Sequence, residues 1–253
     1  MCLNLDAFFR EKGIDVFCEV GLDDLQDDDR SSVLEFLPSA RSVIVFGMEV
    51  PLAVYRMPAK DKTREMLRIA TAIDNTAVLL AGLLEEEHVP ARPVPLYLPV
   101  RIVNGKVLGV VRLKQLAAAG GLGSIGKNTV LLTQRFGPRL FLLGVVTARP
   151  VQEDRQAGRD DVPLCSGCGR CIKVCPTGAL GPDGVDAFRC RTVSAWVPSR
   201  LVPAVKWMLR RKWLLRCTTP LAPWVARTAT IRCSLCVTEC PVVEGEGEPG
   251  FPG

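Results

Sequence analysis

Seven of the chain's eleven cysteines stand in two tight groups near its C-terminal end. The first is Cys165-x2-Cys168-x2-Cys171-x3-Cys175, closed by Pro176. The second is Cys233-x2-Cys236-x3-Cys240, closed by Pro241. The short spacings let three thiolates on one loop point at a common centre, while a fourth is carried away beyond a turn. In two-cluster ferredoxins that fourth cysteine serves the other cluster. On this exchange Cys165, Cys168, Cys171 and Cys240 hold one [4Fe–4S] cluster. Cys175, Cys233 and Cys236 hold a second, whose last ligand is Cys190 or Cys217. Ser166, Gly167 and Gly169 let the backbone wrap closely and turn N–H groups toward sulfide. Zinc also accepts four thiolates, but its sites usually pair CxxC with a distant CxxC. A CxxCxxCxxxCP run repeated in shortened form points to iron and sulfide instead. Cys2 and Cys18 lie far away and read as isolated thiols.

The rest of the composition bounds where such a protein works. In an exported chain, eleven cysteines would imply a disulfide framework. Here the N-terminus, MCLNLDAFFREKGIDVFCEVG, carries Asp6, Arg10, Glu11 and Lys12 within its apolar pattern, so it reads as an amphipathic helix and not as a signal peptide. No uninterrupted apolar run approaches ~18 residues, so no transmembrane helix is expected. A cytoplasmic protein is the expectation. The formal charge is +5, and no acidic residue stands between Asp186 and Glu239, where Lys and Arg are frequent. That band either compensates thiolate-rich clusters or faces an anionic partner. Within it, 199–216 (SRLVPAVKWMLRRKWLLR) reads as a basic helix with Trp207 and Trp213. It either covers the cluster domain or docks a partner protein or a membrane surface. No base-reading motif accompanies it, so tRNA is an unlikely partner on this reading.

The elements upstream must position the acceptor. Residues 3–12 read as a helix, 39–49 as a buried strand with the β-branched run SVIVF, and 51–58 as a loop. Residues 63–88 have helical periodicity, with Met66, Leu67, Ala70, Ile73, Ala77, Leu80, Leu83 and Leu84 on one face. Residues 89–101 are broken by proline and extended. Residues 102–111 read as a hairpin around Asn104-Gly105, 112–120 as a helix, and 129–133 and 139–148 as strands. Helix and strand alternate, which makes the fold class an α/β domain followed by a ferredoxin-like two-[4Fe–4S] cluster domain. The boundary falls in 149–163, giving domains at 1–155 and 160–243, the latter with a basic helical insertion. A polar tail at 244–253 is expected to be disordered.

Between these parts runs GLGSIGKNTVLL, 121–132. Gly121, Gly123 and Gly126 match a dinucleotide fingerprint, but the loop follows a helix, and no acid stands ~20 residues on. Gly126-Lys127 also suggests a P-loop, but Asn128 replaces the Ser or Thr that would bind Mg²⁺. A tight turn, or a loop that binds a cofactor or packs the two domains, fits better.

This combination resembles the epoxyqueuosine reductases: GGLGSIGKN, a hydrophobic stretch, a Gly-Pro turn, an apolar strand ending in Thr, then paired cysteine motifs. It is also similar to the cobalamin-dependent reductive dehalogenases. The resemblance implies a base-off cobalamin held by the α/β domain and reduced by two clusters. It implies Cys190 as the last ligand beside Cys175, Cys233 and Cys236. It places Gly121, Gly123, Gly126, Lys127 and Asn128 on a loop near the corrin. The epoxyqueuosine reductases carry an acid just upstream of this loop as the expected proton donor. Here the equivalent stretch, 106–116, is KVLGVVRLKQL, with no Asp or Glu. Tyr55, Tyr97 or His88 could substitute, although His88 at the end of a helix reads more simply as exposed. The C-terminal helical repeats that help some members hold tRNA are not seen in this chain.

The function these residues suggest is an iron–sulfur reductase, fed by a low-potential electron donor protein, that passes electrons to a cofactor or substrate on the α/β domain. The alternative is a non-catalytic electron-transfer or accessory protein that docks a partner.

Overall fold

The computed structural model describes residues 3–96, 100–103, 106–152, 163–182, 184–194, 200, 202–209, 211 and 230–244. Tyr97, the Asn104-Gly105 turn, the 153–162 boundary, Trp213, Cys2, Cys217 and the tail beyond Glu244 lie outside them.

The centre is a four-stranded sheet in the order β1-β2-β8-β3, comprising β1 (Val16–Gly21), β2 (Ser42–Glu49), β3 (Ala91–Pro93) and β8 (Leu140–Thr147). Every pairing in it is antiparallel. The region is thus α/β in content, but its strands are not joined by parallel βαβ crossovers. The β2–β8 register sets Ile44 opposite Val145 and Phe46 opposite Leu143.

The alternation of β2 builds two cores, because successive side chains leave opposite faces of a strand. Ile44 and Phe46 face a cluster with Leu5, Phe9, Ile73, Leu80, Leu84, Leu143 and Val145. That layer comes from α1 (Leu5–Glu11) and α4 (Ala59–Glu86). Phe9 packs on Phe46 and Phe17 at ring-centroid distances of 5.0 and 4.6 Å. Val43 and Val45 face the other cluster, with Val20, Val33, Leu116, Ala117, Leu131 and Phe136. Its helices are α2 (Asp27–Phe36) and α5 (Leu113–Ala119). At roughly 1.5–3 kcal/mol per buried large side chain, these two layers are the main source of stability.

Most expected elements are present with shifted ends. The loop expected at 51–58 contains a short helix, α3 (Leu52–Arg56). The hairpin at 102–111 is β4 (Val100–Val103) with β5 (Lys106–Gly109), Val103 pairing with Lys106. The strand expected at 129–133 is reduced to β7 (Leu131–Leu132), paired with β6 (Ser124–Ile125). On α4, Met66, Ala70, Ile73, Ala77, Leu80 and Leu84 are buried, and so are Ile69, Thr76 and Ala81, while Leu67 and Leu83 lie at the margin. Among the described residues α4 is the one helix long and apolar enough, by length and composition, to cross a membrane. Its buried face is occupied by β2, β3 and β8.

The C-terminal segment is short on regular structure: α6 (Arg170–Lys173), β9 (Leu180–Gly181), β10 (Gly184–Val185), α7 (Arg191–Ser194), α8 (Val202–Leu209) and α9 (Leu235–Thr238). Only the first half of the expected basic helix, α8, falls within the described residues, and Arg211 stacks over Trp207 there at 4.3 Å.

Candidate metal centre

The two cysteine motifs fold as one unit because α9 packs on α6. Gly167 and Gly169, both at φ 71°, supply the left-handed turns that wrap the first motif around its centre. Cys171 follows on α6 and is buried, while Cys168 is exposed. None of the nine described cysteines is in a disulfide.

Mutual electrostatic influence sorts the thiols into two groups. Burial pushes the Cys240 thiol up, and Cys171, Cys165 and Cys168 push it in the same direction. Burial likewise raises Cys171, with Cys165 and Cys168 adding to it. A small cavity touches all four, with Gly126, Lys127, Asn128, Leu132, Gly169 and Pro241 as its other walls. Elsewhere, burial pushes Cys236 up to about 11, helped by Cys233, Cys190 and Cys175. Cys240 thus lies among the thiols of the first motif, and Cys175 among those of the second. Cys190 lies with the second group; Cys217 is outside the described residues.

Backbone N–H groups also converge on sulfur. Ala179 N donates to Cys175 Sγ at 3.2 Å. Burial would raise that thiol, but N–H donors from Leu180, Thr177 and Ala179 outweigh it and hold it below the ordinary value. At Cys168 the Arg170 N–H is the main cause of a lowered value. Among the described residues no three His, Cys, Asp or Glu side chains stand in a closed coordination geometry. The donor set still fits a cluster: all-thiol quartets, flexible glycines and N–H donors directed at sulfur.

The glycine loop meets both motifs. Lys127 Nζ donates to Gly167 O at 3.1 Å, and the buried Asn128 donates from Nδ2 to Cys236 O at 3.1 Å. Asn128 Oδ1 accepts from Val130 N. A Cβ on Gly123 would meet Leu132 O at 2.0 Å, so close packing and a φ of +153° demand glycine there. Gly121 is also left-handed, at φ 81°. Thr129 holds φ 61°, unusual for a β-branched residue, and Lys114 Nζ donates to its carbonyl. Lys127 and Asn128 are thus turned to the cluster segments.

Further anchors come from places the sequence did not single out. Arg139 donates to Val243 O and Glu244 O and pairs with Glu49. Ser124 Oγ accepts from Leu164 N at 3.0 Å. Thr63 Oγ1 accepts from Ile231 N at 2.8 Å, and Lys62 Nζ donates to Ser234 Oγ at 2.9 Å. These last two bring the start of α4 against the second motif. An open cleft of about 420 Å³ lies there, bordered by Tyr55, Arg56, Lys62, Arg191, Arg232, Cys233, Ser234 and Glu239. Arg191 and Arg232 had a sequence signal, the acid-free stretch; Arg56, Lys62 and Thr63 had none beyond their place in the sequence.

The proton-donor candidates fare differently. His88 is exposed just past the far end of α4. Its 28 residues span about 42 Å at ~1.5 Å each, so His88 is remote from the cysteines. Tyr55 borders the cleft, and burial pushes its phenol up to about 12, with Arg139 pulling it down and Cys236 adding to the rise.

Comparison with known proteins fits this architecture. A 4Fe-4S binding domain matches residues 161–181. The epoxyqueuosine reductase of Synechocystis sp. is 33% identical over 169 residues, 64% of this chain and 53% of that protein. The epoxyqueuosine reductase of Gloeobacter violaceus is 34% identical over 167 residues, 66% of this chain and 50% of that one. The chain spans about half the length of these relatives, and over that span it is homologous to them. The solved epoxyqueuosine reductase of Streptococcus thermophilus covers 98% of this chain and is itself covered to 67%, with a TM-score of 0.59 at 18% identity. That likeness establishes the fold: an α/β region carrying a 4Fe-4S binding segment. The Bacillus subtilis enzyme, at a TM-score of 0.56, has been solved with its catalytic Asp loop swung out of the active site. The likeness to reductive dehalogenases is slighter, a TM-score of 0.43. The expectation that tRNA is an unlikely partner is corrected by another epoxyqueuosine reductase of this fold, at a TM-score of 0.58, solved with an epoxyqueuosine-modified tRNA-Tyr stem loop. The absence of a base-reading motif misled because a protein can hold a folded RNA by shape and phosphate contacts.

Proposed function

We propose that the chain is an iron–sulfur reductase of the epoxyqueuosine reductase type, acting in the cytoplasm on a modified nucleoside in tRNA. Cys165, Cys168, Cys171 and Cys240 would hold one [4Fe–4S] cluster, and Cys175, Cys190, Cys233 and Cys236 the other. When bound, such clusters supply one-electron relay. The observation that carries the reading is the interleaving of the motifs: each long-range thiol, Cys240 and Cys175, feels the thiols of the opposite motif.

The chain's own residues do the rest. Lys127 and Asn128 fasten the glycine loop across both motifs. Arg139 and Ser124 clamp the segments that enter and leave them. N–H groups of Leu180, Thr177 and Ala179 lower the Cys175 thiol from its ordinary value, against the effect of burial. Opening an epoxide requires a proton for the developing alkoxide, and the 106–116 stretch offers no carboxylate. We therefore assign the proton to a group outside that stretch. Cobalamin as the acceptor rests on the resemblance alone.

Anaerobic reconstitution with iron and sulfide tests the reading, followed by titration with cobalamin and incubation with an epoxyqueuosine-modified stem loop. About eight irons per chain, a base-off corrinoid spectrum and loss of the epoxide are expected. Fewer than about four irons would overturn the cluster assignment. Full clusters without corrinoid binding or turnover would overturn the reductase and favour the electron-transfer alternative.

A further inference from the structure

We propose that Lys62 is a fixed positive charge that raises the reduction potential of the cluster held by Cys175, Cys190, Cys233 and Cys236. This rests on the two-cluster reading above.

Lys62 lies in the first turn of α4 and is only 6% exposed. Its ammonium donates to Ser234 Oγ at 2.9 Å, and Ser234 stands between Cys233 and Cys236. The hydroxyl in turn donates to Tyr55 O at 3.3 Å, which fixes its direction. Among the described residues no carboxylate lies within ion-pair distance of Lys62. Burial lowers its ammonium from the ordinary value, and the Cys233 sulfur pulls it back up. A buried cation without a counter-charge is costly. The anion the fold can offer it is a thiolate-ligated cluster, which is negative in both oxidation states and more negative when reduced. A nearby cation therefore favours the reduced form. The neighbouring Thr63 accepts from Ile231 N, so the start of α4 is pinned along the motif. Pro58 caps that helix without a side-chain hydrogen bond, which leaves the positive end of its dipole on the same side.

Among the described residues the other centre has no buried cation without a carboxylate partner; Arg170, whose charge lowers the Cys168 thiol, is exposed. Lys127 borders its cavity, but that side chain is exposed and donates to the Gly167 carbonyl. Solvent screens such a charge strongly. The two clusters therefore differ in potential, with the one beside Lys62 the easier to reduce.

The test is an EPR-monitored redox titration of the reconstituted full chain without cobalamin or substrate. Lys62→Met is expected to lower the potential of the Cys233-linked cluster by at least tenfold in the reduction equilibrium, about 59 mV for one electron. The other cluster should move far less, and Lys62→Arg should retain the wild-type value. Ser234→Ala keeps every charge but frees the ammonium. It should shift the same cluster in the same direction by a smaller amount, and it serves as the test if Lys62→Met loses iron. No selective shift in the variants that keep both clusters overturns the proposal, as does an Arg variant that behaves like Met. An iron count below two clusters in the wild type would instead overturn the underlying reading, so the two failures are distinct.

Discussion

Gly137→Ala should release one cluster and spare the other. Gly137 sits in the turn that ends β7 and leads into β8, paired with Thr133 through hydrogen bonds of 2.8 and 2.9 Å. Its φ is +54°, and an added Cβ would stand 1.8 Å from Val242 O and 2.9 Å from the carbon of that carbonyl. Both obstacles are backbone, so rotating a side chain cannot relieve them. The segment 242–243 must retreat by more than about 1 Å to reach ordinary contact. The left-handed conformation adds roughly 1–2 kcal/mol for a residue with a Cβ. The retreat also pulls Val243 O from Arg139 Nε, at 2.5 Å, and Glu244 O from Arg139 Nη2, at 3.1 Å. Hydrogen bonds to a charged donor contribute about 1.5–3 kcal/mol each, so the turn loses on the order of 3–6 kcal/mol of its hold on this segment. Cys240 lies only two residues upstream of Val242. Iron analysis and EPR after anaerobic reconstitution should show about four irons where the parent holds about eight. The surviving signal should be that of the Cys175–Cys190–Cys233–Cys236 cluster. A variant with full iron and unchanged cluster lifetime would falsify this account of how Cys240 is held. Loss of both clusters would refute the division of the ligands.

Cys190→Ser should likewise reduce the iron from about eight to about four, whereas Cys217→Ser should leave it unchanged; the reverse result would move the eighth ligand to Cys217. Gly82→Ala, in the C-terminal part of α4 with nothing within 4 Å of the new Cβ, should stabilise the fold by about 0.5–1 kcal/mol, read as a raised midpoint in denaturant. In the cluster-free protein Tyr55 should titrate near 12 in ultraviolet absorbance. The folded state holds that proton more tightly than the unfolded chain, whose phenol titrates near 10. The stabilisation is therefore complete below about pH 10 and lost as pH rises toward 12, on the order of 2 kcal/mol. Tyr55→Phe should remove the late transition and that part of the alkaline destabilisation.

The cysteine spacing was legible because thiolate geometry allows so few loops. The same holds for SVIVF, whose alternation β2 divides between two cores, and for the apolar face of α4. What was not legible had weak local signals. β1 carries Glu19 within its apolar run, and α2 opens with three aspartates and buries only Asp29 and Val33. Asp29 accepts from Arg112 Nε at 2.6 Å, a contact 83 residues apart in sequence. The antiparallel sheet was hidden for a related reason: alternating elements suggest parallel crossovers, and only long-range pairing decides the direction. The glycine loop was recognised as unusual, but its side chains go to Gly167 and Cys236, partners that no spacing rule could supply.

The loop's role bears on the missing acid. In the Bacillus subtilis relative a catalytic Asp belongs to a loop that can swing out of the active site. The stretch that the resemblance sets against it, 106–116, includes β5 and the start of α5, and its charges are positive: Lys106, Arg112 and Lys114. Arg112 is tied to Asp29 and Lys114 to the carbonyl of the strained Thr129. These bonds fasten α5 to α2 on one side and to the glycine loop on the other. Burial lowers the Lys114 ammonium from its ordinary value. Restoring a carboxylate by Val110→Asp, immediately before this anchored turn, separates two explanations. If the chain lacks only a proton source, turnover of the modified stem loop rises. If the fixed turn instead reflects a different substrate, activity on the stem loop stays flat while the iron content is unchanged.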